Sequence, residues 1–125
     1  MPLALDISNW GGELGANTVA EWKAHGVKKV IVGVHPRHIL IARQQLQAAS
    51  SGGLKIEVYG YLYFDAPIQP QIQAIFAAIK GLPVEQVWLD VEDTETSAPP
   101  PQVVQSIQEA ISLVEAYDNE EDGSG

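Results

Sequence analysis

Asp90 and Glu92 stand two residues apart at the end of VWLDVE (87 to 92), an apolar run of the kind that forms a buried strand. Residues two apart on a strand point to the same side, so the two carboxylates share a face. Such a pair suits glycoside hydrolysis, in which one acid protonates the leaving oxygen and the other stabilises or attacks the anomeric carbon. The same spacing also suits a divalent cation held by oxygen ligands, or a solvated strand edge. Asp6, far away in LALDIS (3 to 8), has matching parity: Leu3, Leu5 and Ile7 fall on one face, and Ala4, Asp6 and Ser8 on the other. In the later run, Val87, Leu89 and Val91 oppose Trp88, Asp90 and Glu92.

These acids need elements to hold them, and the chain alternates strand-like and helix-like patterns. After the first strand, NTVAEWKAHG reads as a helix, with Thr18 and Glu21 at capping-box spacing and Gly26 at its exit. KKVIVGV (28 to 34) is the second strand, and a helix over about 37 to 50 places Ile39, Ala42, Leu46 and Ala49 on one side. SSGG then breaks the chain before IEVYGYLYF (56 to 64), whose alternation sends Ile56, Val58, Leu62 and Phe64 to the helices and Tyr59, Tyr61 and Tyr63 to the acid-bearing face. A third helix runs from about Pro70 to Lys80. PPPQ opens a fourth, with Val104, Ile107, Ile111 and Val114 as its expected packing face. Four β-α units in succession imply a parallel sheet with right-handed crossovers, and only a sheet that curls brings Asp6 towards Asp90 and Glu92. A flavodoxin-like sheet is the rival arrangement, although GGELG lacks the glycine spacing of a phosphate loop.

Composition narrows the classes. The 125 residues suit one domain over 1–117, with DNEEDGSG (118–125) read as an acidic, disordered tail. A net charge of −9 opposes nucleic-acid binding, and the absence of cysteine excludes disulfides and thiolate metal sites. No signal peptide and no apolar run of membrane-spanning length stands out, so the expectation is a soluble protein made in the cytoplasm, with no membrane partner. Among single residues, His35 and His38 read as loop residues and His25 as a partner for a helix dipole. Trp22 reads as core, Asp65 as a turn former, and Asp93 and Glu95 as solvated. Trp10 is either lid packing or a sugar platform.

LDISNW, GVKKVIVGV, VYGYLYF and above all WLDVED resemble the glycoside hydrolase family 25 lysozymes, muramidases built on a modified β/α barrel. The resemblance implies catalytic positions for Asp6, Asp90 and Glu92, with Glu92 as proton donor, and it makes Tyr61 the strand-three tyrosine, with Leu62 as the rival register. Tyr61, Tyr63 and Trp10 become the expected saccharide contacts. The chain departs from the family pattern at Gly11 and Gly12, where a Gln is usual, and at Gly33, where a Lys is common. The implied fold is a parallel (βα)4 half of a modified TIM-type β/α barrel. The implied activity is hydrolysis of the β-1,4 bond between N-acetylmuramic acid and N-acetylglucosamine in peptidoglycan, without metal or cofactor. A catalytically weakened saccharide-binding relative is the alternative. The partners expected for such a half are a second copy of the chain or a separate C-terminal half.

Overall fold

A computed structural model describes residues 3–8, 11–91 and 96–123, the last six of these by their backbone alone. Four strands alternate with four helices: β1 (Leu3–Ile7), α1 (Ala16–Ala24), β2 (Val27–Val34), α2 (Ile39–Ser51), β3 (Lys55–Tyr61), α3 (Ile68–Ile79), β4 (Val84–Asp90) and α4 (Pro100–Gly123). All strands are parallel and lie in the order β1-β2-β3-β4. Unidirectional order with right-handed crossovers puts every helix on one face of the sheet. The helices accordingly pack side by side, α1 on α2, α2 on α3 and α3 on α4. The fold is α/β, arranged as a (βα)4 half-barrel. The order overturns the flavodoxin-like rival, whose doubly wound sheet reverses direction at its switch point.

Alternation then decides burial. Val30, Val32, Val34, Ile56, Val58 and Leu62 are fully buried beneath the helices, with Ala42, Leu46 and Ala49 of α2 and Ile72, Ile75 and Phe76 of α3 packed on them. Ile39 is partly buried against the same core. Gly60 faces α3, and a Cβ there would run into the Ile75 side chain, so the glycine lets helix and strand close together. Two bulges interrupt the alternation. Leu3 pairs with Val27 while Ala4 pairs with Lys29, and Ile56 pairs with Val84 while Val58 pairs with Val87. Each extra residue sends a polar doublet, Lys28–Lys29 or Glu85–Gln86, away from the helices.

Several expectations are corrected. Thr18 does not cap α1: the helix already starts at Ala16, after Gly15, because buried Leu14 is fastened to Gln44 and fixes the entry upstream. Leu3, expected under the helices, is 51% exposed at the bulge, and Val91 lies exposed beyond the end of β4. In α4 the packed residues are Val103, Ile107, Ala110, Leu113, Val114 and Tyr117, while Val104 and Ile111 are 54% and 45% exposed. Tyr117 sets this rotation by stacking on Phe76 at 3.7 Å between centroids. The backbone of 118–123 is helical where a disordered tail was expected, since α4 meets no Gly or Pro between Pro101 and Gly123 and propagation adds a hydrogen bond per residue. Trp22 is half-buried against the core, and His25 accepts its expected place, its Nδ1 bonded to the Glu21 carbonyl at 2.8 Å in the last turn of α1. Asp65 is exposed in the turn before α3. Among the described residues no helix is long and apolar enough to cross a membrane.

The rotation of α4 has a direct test in urea unfolding. Ala110→Leu should overpack the α3 interface and cost about 1–3 kcal/mol, whereas Val104→Ala should stay within about 0.5 kcal/mol of the parent. Equal effects would mean that the stripe is misassigned.

Candidate functional site

The face opposite the helices carries the side chains with chemistry. Asp6, Ile31, Tyr59, Trp88, Leu89 and Asp90 line a recess of about 470 Å³ on it. Asp6 comes from β1 and Asp90 from β4, the two outermost strands, so the recess spans the whole sheet. Tyr59 pairs with Gly33 on one side and with Trp88 on the other. Its ring lies across Gly33, where a Cβ would collide with the phenol. Gly33 therefore makes room for an aromatic floor.

Below the recess, towards the amino ends of the strands, a charged network crosses three strands. The Lys29 ammonium donates to Glu57 Oε2 at 2.5 Å, and the Trp88 indole N–H donates to Glu57 Oε1 at 2.9 Å. Glu85, turned outward by its bulge, lies 3.8 Å from Lys29 and 3.9 Å from Lys55. The hydrogen bond from Lys29, helped by that from Trp88, holds the Glu57 carboxyl below its ordinary range, and Glu57 in turn raises Lys29. The network anchors Trp88, which is nevertheless 54% exposed on the recess side.

Above it, at the carboxyl ends, rings form a column. His35 stacks on Tyr61 with centroids 4.9 Å apart and planes 16° apart, and Tyr61 meets Tyr63 edge-on at 4.9 Å. The Arg37 guanidinium carbon lies 4.1 Å above the Tyr63 ring, and His38 sits edge-on to His35 at 6.3 Å. Tyr61 is the strand neighbour of Asp90. Tyr61 and Tyr63 point to the open face as their parity requires, but they flank the recess while Tyr59 and Trp88 line it. Leu62, the rival register, is fully buried. Glu92, Trp10, Asp93 and Glu95 lie outside the described residues. Among the described residues no three His, Asp or Glu side chains converge on one point.

Three glutamines fasten the loops that carry these groups. Gln44 grips both backbone groups of Leu14, its Oε1 accepting from N at 2.7 Å and its Nε2 donating to O at 2.8 Å. Buried Gln45 donates to the carbonyls of Ser8 and Gly12, directly downstream of Asp6. Buried Gln71 accepts from the Tyr63 N–H and donates to the Tyr63, Ala66 and Pro67 carbonyls. The sequence gives no hint of these roles, because glutamine on a helix ordinarily faces water. The Lys29–Glu57–Trp88 network has a fainter signal: Glu57 interrupts an apolar strand, and the polar doublets mark the bulges.

Comparison with protein-family models, curated proteins and solved structures returns no match. What the site can do thus rests on its own residues.

Two outcomes follow from these contacts. Gln71→Ala strands a half-buried Tyr63 N–H and should cost about 1–3 kcal/mol in urea unfolding, with looser packing of Tyr63 visible in its ring NMR signals; an unchanged midpoint would show that the loop holds itself. Glu57 has a lowered pKa, so its ionised form contributes stability in full above about pH 4.5, and that contribution is lost as pH falls through the lower folded value. Lys29 is raised, so its contribution is full below about pH 10.5 and is lost as pH rises through the folded value. Glu57→Gln should be less stable than the parent between these limits, and the gap should narrow in acid and in added salt. A gap independent of pH would remove the ion pair from the account.

Proposed function

We propose that the open face is a glycoside-hydrolase site of the family 25 lysozyme kind, cleaving the β-1,4 bond between N-acetylmuramic acid and N-acetylglucosamine in peptidoglycan. The observation that carries this reading is that Asp6 and Asp90, from opposite edges of the sheet, line one recess whose floor is Tyr59 and Trp88. Aromatic faces suit the apolar faces of sugar rings, and carboxylates beside them suit chemistry at an anomeric centre. The resemblance of LDISNW and WLDVED to that family supports the same assignment.

In this reading Glu92, two residues beyond Asp90, donates its proton to the glycosidic oxygen as the bond to the anomeric carbon breaks. Asp90 stabilises the positive charge that develops on the sugar, or orients the acetamido group. Asp6 positions the water that adds to the anomeric carbon, or holds Asp90. Saccharide binding without turnover is the second reading. It is favoured by Trp88, whose large exposure leaves the recess without an opposite wall among the described residues.

Release of reducing ends from purified peptidoglycan separates the two. The parent chain should release them, and Glu92→Gln and Asp90→Asn should each lower the rate by about 10²–10⁴ while leaving saccharide affinity within a few-fold. Binding by the parent without any release would favour the second reading, and turnover that survives Glu92→Gln would place the acid elsewhere.

A further inference from the structure

The apolar surface left exposed is concentrated at the two ends of the sheet. Among the described residues six large hydrophobic side chains are exposed, and five of them, Leu3, Trp88, Val91, Val104 and Ile111, lie on or beside β1, β4 and α4. The same ends hold the unfinished core. Val30, Val32, Ile56 and Val58 of the inner strands are fully buried, whereas Leu5 and Ile7 of β1 and Val87 and Leu89 of β4 are covered only in part. Each outer strand has a neighbour on one side only, which leaves a row of backbone donors and acceptors along its free edge. The chain exposes 7505 Å², where a compact monomer of 13.5 kDa exposes roughly 6,500 Å². The excess of roughly 1,000 Å² is on the scale of the ~800 Å² that each partner buries in a standard interface.

Strand register says what fits there. Asp6 lies level with Ile31 and Ile31 with Glu57, while Asp90 lies level with Tyr61, which is four residues beyond Glu57 in β3. An eight-stranded β/α barrel closes with a stagger of about eight residues per circuit, hence about four for half of it. A second copy, related by a two-fold axis along the barrel, supplies the other half: its β1 runs beside β4, and its β4 beside β1. A half-circuit stagger of four then seats the second copy's Asp6 directly beside Asp90, both on the open face as their parity requires. Outside the strands, Ile111 of α4 comes against the second copy's α1, where Ala20 and Ala24 are exposed and small.

We infer that the chain pairs with a second copy of itself through β4 and β1, closing an eight-stranded barrel in which Asp90 of each copy stands beside Asp6 of the other. Within one chain these strands are three intervals of about 4.8 Å apart, and across the seam they are one interval apart. The recess is then completed from two chains, and Trp88 gains an opposite wall. The assembly stands independently of the saccharide reading; only the use of the shared acids rests on it.

Sedimentation equilibrium of the full chain should give a species of twice the chain mass. Ile111→Glu, at a position exposed in the single chain, should raise the dissociation constant at least about tenfold with helicity unchanged. Adjacent carboxylates oppose the pairing, so Asp90→Asn should tighten it about two- to fivefold, and added salt should act in the same direction. The chain has no cysteine, so single cysteines can report the register. Oxidation of a mixture of Asp6→Cys and Asp90→Cys chains should join them by a disulfide, since neighbouring strands lie within its reach, and neither variant should link when oxidised alone. A monomer at every concentration would overturn the inference, as would a dimer that survives Ile111→Glu or gives no mixed disulfide. A cross-linked dimer that binds no peptidoglycan fragment would leave the assembly standing and remove the saccharide reading.

Discussion

The direction of winding governs this molecule. Because each crossover moves one strand further the same way, the four helices accumulate on a single face, and every strand residue is either beneath them or opposite them. Parallel sheets are usually covered on both faces, and their strands read as unbroken apolar runs. Here β1, β3 and β4 alternate instead, and the uncovered face is closed by contacts between its own side chains. Lys29, Glu57 and Trp88 satisfy one another across three strands, and Tyr59 fills the space over Gly33. The recess between Asp6 and Asp90 is what remains.

Strand parity aims the side chains, but loops set their height, and in this chain the loops are held by amides. A glutamine side chain offers one acceptor and two donors, so it can bond a backbone segment much as a neighbouring strand would. Gln44 and Gln45 do this for the segment after β1, and Gln71 for the segment after β3, so helices in the covered layer hold backbone on the open side. Buried Gln45 leaves its Oε1 without a partner among the described residues, a cost that two carbonyl bonds from Nε2 offset.

The parts of the fold legible in the sequence were those set by local period. The alternation in IEVYGYLYF placed Ile56, Val58, Leu62 and Phe64 in the core and the tyrosines outside it, and the helix pattern of α2 identified Ala42, Leu46 and Ala49. Helix α4 was harder, because Val103 and Val104, like Ile111 and Leu113, offer two overlapping apolar stripes. Only the stack of Tyr117 on Phe76 chooses between them. The carboxylates Asp6 and Asp90 were legible because strand parity alone brings them to one face. The column of His35, Tyr61, Tyr63 and Arg37 was not, since it joins residues of a loop to residues of β3 through contacts that no spacing encodes.

The bulge at Glu85–Gln86 acts as a phase shift in β4. Val84 and Val87 both face the helices although they are an odd number of residues apart, and everything after them inherits the corrected phase. Were one residue of that doublet lost, the strand would either start elsewhere or present Trp88 and Asp90 to the core and turn Val87 away from it. Which way this end of the sheet looks is therefore counted out two or three residues upstream, by side chains with no part in the chemistry. Point changes at Glu85 and Gln86 leave that count intact, whereas an insertion or deletion there inverts the face, so the segment tolerates drift in composition far better than drift in length.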